Sequence, residues 1–155
     1  MEDILKQLLQ EEHELQFMSF NESAAWQVGC QLVERAKKEE LPITIDITRG
    51  SHQLFHASLA GTSADNDEWV KRKVRLVYRF GHSSFYIGQL LKSKGRSLEQ
   101  AYLISESDYA AHGGCFPVLL KETGMVGTIT VSGLPQEEDH KLVVQAIREY
   151  LAQEK

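Results

Sequence analysis

The sequence predicts one α+β domain over residues 1–155: a mainly antiparallel sheet of about five strands with helices packed on its faces. Three observations carry the prediction. Two pairs of β-like runs are each joined by a short turn, helical periodicity recurs before, between and after them, and no repeat or linker divides the chain. Hydrophobic residues make up 42% of the sequence, enough for a continuous core in a domain of this length.

Taken in order, Ile4, Leu5, Leu8 and Leu9 give the first fourteen residues one apolar helical stripe. Leu15 to Phe20 reads as a short strand, and Asn21 is placed to cap a long amphipathic helix over Glu22–Glu40. Pro42 stops that helix. Ile43, Ile45 and Ile47 alternate with Thr44, Asp46 and Thr48, and the turn Arg49-Gly50-Ser51 leads into a second strand from His52 to Ala60. A third helix is expected from about Ala64 to Phe80, acidic at its start and basic towards its end, as the helix dipole favours. Helical stretches follow from Ser84 to Leu91 and from Leu98 to about Ser105. Phe116–Lys121 and Met125–Val131 form a second hairpin, and Pro135 opens a terminal helix striped by Leu142, Val143, Ala146, Ile147 and Tyr150.

Charge and hydropathy exclude several classes. The formal charge is -5 and the isoelectric point about 5.7, which argues against a general nucleic-acid binder. No apolar run reaches the roughly 20 residues that span a bilayer, and the acidic opening MEDILKQLLQEEHEL lacks a secretory signal. A cytoplasmic address with no membrane partner is expected. Cys30 and Cys115 match no metal or redox spacing, and Cys30 lies among apolar neighbours, where a thiol packs as a small hydrophobe.

The most informative segment is His112-Gly113-Gly114-Cys115-Phe116-Pro117. Paired glycines permit backbone torsions closed to other residues and close approach to the amides. A second turn, Val131-Ser132-Gly133-Leu134-Pro135, opens the last helix. If the two β runs pair, both turns lie at one end of the sheet and Gly114 neighbours Ser132. The bland reading is that these glycines shape a strand entry and a helix entry only. Asp139 is expected to bond to amides around Gly133. The basic run Lys71-Arg72-Lys73-Arg75-Arg79 reads either as a solvated face or as an anion site.

The histidines are weighed in the same way. His52 and His56 share a strand face roughly 13 Å apart, too far to hold one ion. His13 lies in a charged run and His82 at a helix end. No histidine pair has zinc spacing, so no metal site is expected. His112, beside the glycine pair, is the foremost ligand or acid–base candidate. A Cys115–His112 nucleophilic pair is conceivable, but no orienting carboxylate accompanies it.

Gly113-Gly114-Cys115-Phe116-Pro117, Gly124-Met125-Val126-Gly127, Val131-Ser132-Gly133 and Gln136-Glu137-Glu138-Asp139 together resemble the C-terminal signature of the GlcG/HbpS-like, or haem-degrading domain, family. The variant Val-Ser-Gly-Leu-Pro before Asp139-His140 is most similar to its branch of small uncharacterised cytosolic proteins. The helix carrying Lys73 resembles the family's Ala-x-x-Lys-Ala helix with the alanines lost. The resemblance implies a profilin-like fold, with a five-stranded antiparallel sheet flanked by helices on both faces. It also implies homo-oligomers, and haem as the cofactor.

Three readings follow. The first is an oligomeric small-molecule or anion-binding protein with its site where His112, Gly113 and Gly114 meet Ser132 and Gly133, and with Lys73 or Arg72 supplying positive charge. The second is an enzyme degrading haem or another tetrapyrrole. The third is a protein-binding adaptor with no small-molecule ligand.

Overall fold

The computed structural model describes residues 1–154. Among them the chain runs α1 (Glu2–Glu14), β1 (Gln16–Phe17), α2 (Glu22–Glu39), β2 (Thr44–Arg49), β3 (His52–Ser58), α3 (Ala64–Phe80), α4 (Ser84–Lys94), α5 (Leu98–Tyr102), β4 (Cys115–Leu120), β5 (Gly124–Ser132) and α6 (Gln136–Gln153). The capping residues sit where the sequence puts them. Asn21 Oδ1 accepts from Ala24 N at 2.9 Å, and Ser83 Oγ accepts from Tyr86 N at 3.1 Å. Ser97 and Gln100 form a reciprocal box at the start of α5. Helix α5 ends earlier than the periodicity suggests, because Leu103 turns left-handed at φ 59°.

The sheet order is β1-β4-β5-β2-β3. Three pairings are antiparallel, as expected: β2 with β3, β2 with β5, and β4 with β5. The edge strand β1 is the exception. It is only two residues long and pairs parallel to β4, with Gln16 opposite Leu119. No hairpin ties β1 to its neighbour, so nothing local fixes its direction.

The two faces of the sheet differ in chemistry. On one, Ile43, Ile45, Ile47, Phe116, Val118, Ile129 and Val131 meet Ala25, Val28 and Leu32 of α2 and Leu142, Val143 and Ile147 of α6 in one buried cluster. Burying each large aliphatic side chain there contributes about 1.5–3 kcal/mol. The opposite face carries Thr44, Asp46, Thr128, Thr130 and Cys115, all buried, with α3 packed against β2, β4 and β5. Hydroxyls on this face pair with one another, Thr48 with Thr128 at 2.7 Å and Thr44 with Ser58 at 3.1 Å, which offsets their loss of water. A smaller apolar cluster of Leu76, Ile87, Leu91 and Leu98 joins α3, α4 and α5. Among the described residues, no helix is long and apolar enough to cross a membrane.

Candidate functional site

Because β4 and β5 are antiparallel, the entry to β4 and the exit of β5 fall side by side. Val131 N donates to Gly114 O at 2.9 Å, and Gly113 N donates to Gln136 Oε1 at 2.9 Å. The two glycine-bearing bends therefore converge. The space between them is filled rather than open. Lys73 reaches in from α3, and its Nζ donates to Val131 O at 3.1 Å and to Asp139 Oδ2 at 3.2 Å. A Cβ on Gly114, whose φ is +136°, would collide with Val131 O and Lys73 Nζ, and one on Gly113 with Gln136 O and the Phe85 ring. Glycine is needed at both positions for close packing.

Lys73 and Asp139 form an ion pair with side chains 3% and 2% exposed. Burial lowers the ammonium's affinity for its proton. The same burial pushes the Asp139 carboxyl up to about 6, against the pull of Lys73 and the Leu134 amide. Asp139 Oδ1 accepts from Leu134 N at 3.0 Å, the expected contact beside Gly133. The partnership with Lys73 is an addition that sequence spacing does not reveal. Lys73, Gly113, Gly114 and Ser132 are thus buried around an internal ion pair, and Gly133 lies exposed at its edge.

His112 and Arg72 face elsewhere. A cleft of about 310 Å³ lies between α3, α4 and the segment before β4, lined by Trp69, Arg72, Lys92, Arg96, Tyr109 and His112. The Arg72 guanidinium stacks 4.2 Å from the Trp69 ring centre, and the His112 imidazole meets the same indole edge-on at 5.2 Å. Partial burial of its ring, then the nearby Lys73 and Arg72 cations, holds the His112 imidazole below its ordinary range, which favours the neutral form. Its free nitrogen lone pair is a competent iron ligand, and Arg72, Lys92 and Arg96 can accept carboxylates. Lys92 and Arg96 lie in α4 and its exit loop, outside the motifs that mark the site in sequence. Trp69 is three residues before Arg72, a helical neighbour that the sequence does offer.

The other candidates resolve individually. Cys115 is fully buried, its thiol is pushed up to about 12 by that burial, and its backbone is tied to Ser84 Oγ. Exposed His112 therefore has no thiolate partner there. His13 and His52 are exposed, as expected. His82 Nδ1 pairs with buried Glu12 at 2.7 Å, and His140 Nε2 pairs with Glu11 at 2.9 Å while its ring stacks on Phe85. His56 is exposed as well, and its ring also contacts Asp46 and Asp67.

Comparisons with known proteins agree on the family. Residues 20–148 match the family model described as "Haem degrading protein HbpS-like". A UPF0303 protein of Psychromonas ingrahamii is 48% identical over 95% of this chain and 92% of its own length. Among solved structures, Ybr137w superposes with a TM-score of 0.89 at 31% identity, covering 97% of this chain and 88% of that one. A PduOC:heme complex superposes with a TM-score of 0.68 at 17% identity, covering 84% and 94%, a likeness of fold. With more than two thirds of its length under the family model and a close relative nearly half identical, the chain belongs to the HbpS-like family of haem-degrading proteins.

Proposed function

We propose that this protein binds a small ligand with an anionic edge and an apolar body in the cleft beside His112, and that haem is that ligand. The observation that carries the reading is the imidazole of His112 standing beside the stacked Trp69–Arg72 pair, with Lys92 and Arg96 lining the same cleft. The family description and a structural neighbour solved with heme support the same ligand.

The residues fit the group chemically. His112 would hold the iron, Trp69, Tyr109 and Leu98 would face the macrocycle, and Arg72, Lys92 and Arg96 would take the propionates. Bound haem would supply an iron centre for redox or oxygen chemistry. At about 310 Å³ the cleft is at the small end of ligand sites, which run from about 300 to 1,000 Å³. A single subunit therefore leaves much of a haem uncovered.

Assembly into a homo-oligomer belongs to this reading. The outer edge of β3 pairs with no other described strand, and beside it Trp26 stands 64% exposed, edge-on to Phe55. Such an edge favours contact with another chain. Lys73, Gly113, Gly114, Ser132 and Gly133 take the supporting role, fixing the loop that presents His112.

Titration with hemin tests the proposal. The expected result is a saturable Soret shift that His112→Ala abolishes and His52→Ala leaves intact, with affinity reduced about tenfold in Arg72→Ala by loss of a charge-assisted contact. A flat spectrum, or a shift indifferent to His112, overturns it.

A further inference from the structure

Of the basic run in α3, Arg72 alone lines the His112 cleft. Arg72, Arg75 and Arg79 nonetheless share one stripe of the helix. That stripe faces the chain over residues 103–114, the longest connection between described elements. Arg72 Nη1 donates to Glu106 O at 3.4 Å and Arg75 Nη1 to Asp108 O at 2.6 Å, while the Arg79 guanidinium stands 5.8 Å from the Tyr109 ring centre. Both hydrogen bonds go to main-chain carbonyls, although Glu106 and Asp108 carry carboxylates at the same positions. A bond to a carbonyl fixes the backbone itself, whereas a bond to a carboxylate fixes only the end of a mobile side chain.

The connection needs such a hold. Ser105, Glu106, Ser107 and Asp108 are exposed and Leu103 is 89% exposed, so few apolar contacts tie down its first half. The second half is seated at three points. Ala110 N donates to Arg72 O at 3.1 Å, and Gly113 N donates to Gln136 Oε1 at 2.9 Å. Between them the Ala111 carbonyl lies so close to Gly88 of α4 that a Cβ there would collide with it. Glycine is among the poorest residues for a helix interior, and this close approach accounts for it in α4.

His112 stands between these seats, with its ring edge-on to Trp69. The direction of the imidazole is therefore set by how the main chain from Asp108 to Gly113 is held. Arg75 grips that stretch at its leading end and Gly88 accommodates it in the middle.

We propose that Arg75 and Gly88 are positioning residues of the His112 cleft. Arg75 latches the approach to β4 through the Asp108 carbonyl, Gly88 leaves room for the Ala111 carbonyl, and together they hold the His112 imidazole against Trp69. Arg75 lies outside the cleft lining and Gly88 has no side chain to offer, so both act through the main chain that carries His112. The role of His112 towards a ligand rests on the haem reading, whereas its placement does not.

The test is NMR of the ligand-free, full-length protein, in which the Trp69 ring current marks the His112 ring protons. Arg75 is exposed, so its substitution leaves the core intact. In Arg75→Gln the His112 resonances should move towards those of exposed His13, and the Ala110 amide should exchange about tenfold faster through loss of a charge-assisted bond. Arg75→Lys, which keeps a cationic donor, should restore most of the parent's shift. Gly88→Ala should move the same resonances while leaving α4 as helical as before. Lys71→Gln removes the same charge from the same helix at a residue paired with Glu68, and should change neither readout. With hemin as the probe, Arg75→Gln should bind about tenfold more weakly yet reach the parent's Soret spectrum at saturation, because His112 is present but less well placed. Unchanged His112 resonances and Ala110 exchange in Arg75→Gln overturn the proposal, as do equal changes in Lys71→Gln or hemin bound by Arg75→Gln as tightly as by the parent. A parent that binds no hemin, with His112 still displaced in Arg75→Gln, supports the latch and overturns the haem reading alone.

Discussion

Lys73 shows how far a residue's role depends on what surrounds it. The sequence presents it within a basic run, where a ligand contact is a natural reading, but its ammonium is buried against Asp139 and Val131 O. Truncation of one partner leaves the other charge buried and unpaired, a change that costs about 3–5 kcal/mol. Lys73→Met should destabilise the fold by about that amount in urea unfolding at neutral pH. The penalty should shrink in acid. The Asp139 carboxyl is raised from 3.8 to about 6 by burial, so the folded state holds this proton more tightly than the unfolded chain. Its contribution to stability is complete below the unfolded value and is lost as pH rises through about 6. In Lys73→Met the opposing cation is gone and Asp139 takes up its proton more readily still. A variant equally destabilised at acid and neutral pH would contradict this account of the pair.

At the scale of the element, strand and helix types were legible because periodicity and caps point the same way. The alternation of Ile43, Ile45 and Ile47 with Thr44, Asp46 and Thr48 fixes β2 and its core face. The fate of the polar face was not legible. A polar strand face normally meets water, whereas here α3 covers it, with Thr44 paired to Ser58 and Thr48 to Thr128 while the buried Thr130 hydroxyl has no partner among the described residues. The two clefts flanking α3 escape sequence reading for a related reason. Their walls join residues far apart in the chain: Trp69, Arg96 and His112 in one, Asp46, His56 and Asp67 in the other. His112 and the basic run holding Arg72 mark the first, and no local pattern marks the second.

Helix α1 lies outside the stretch matched by the family model. It buries only Leu8 and Glu12, and is held by polar pairs: Glu11 with His140, Glu12 with His82 and the Ser83 amide, and Glu14 with Arg148. Glu12 raises the proton affinity of His82. The pair therefore stabilises the fold in full below the ordinary imidazole value of 6.5 and loses that contribution as pH rises through the raised one. Because His82 is 41% exposed, solvent screening keeps the effect below about 1 kcal/mol. The stability gap between the parent and His82→Gln should be larger at about pH 5.5 than at about pH 8.5. An equal gap at both would assign α1 docking to Leu8 and the backbone contacts instead.

For the whole molecule, a two-faced sheet creates two environments around one helix. The apolar face, sealed by α2 and α6, supplies the core, and the polar face beneath α3 places charge at both of its flanks. Convergence of the Gly113-Gly114 and Ser132-Gly133 bends follows from the antiparallel β4–β5 pairing, so that part of the site was readable from the motifs. Their closure around Lys73 and Asp139, with the opening displaced to the far side of His112, required the packing of α3 and α4. The haem reading rests on that displaced opening. A crystal structure of the protein with hemin tests it most directly. The account predicts iron bonded to His112, propionates directed at Arg72, Lys92 or Arg96, and a second copy of the chain covering the exposed face of the macrocycle. Iron bound through any other histidine, or a porphyrin seated away from the Trp69–Arg72 stack, would contradict it.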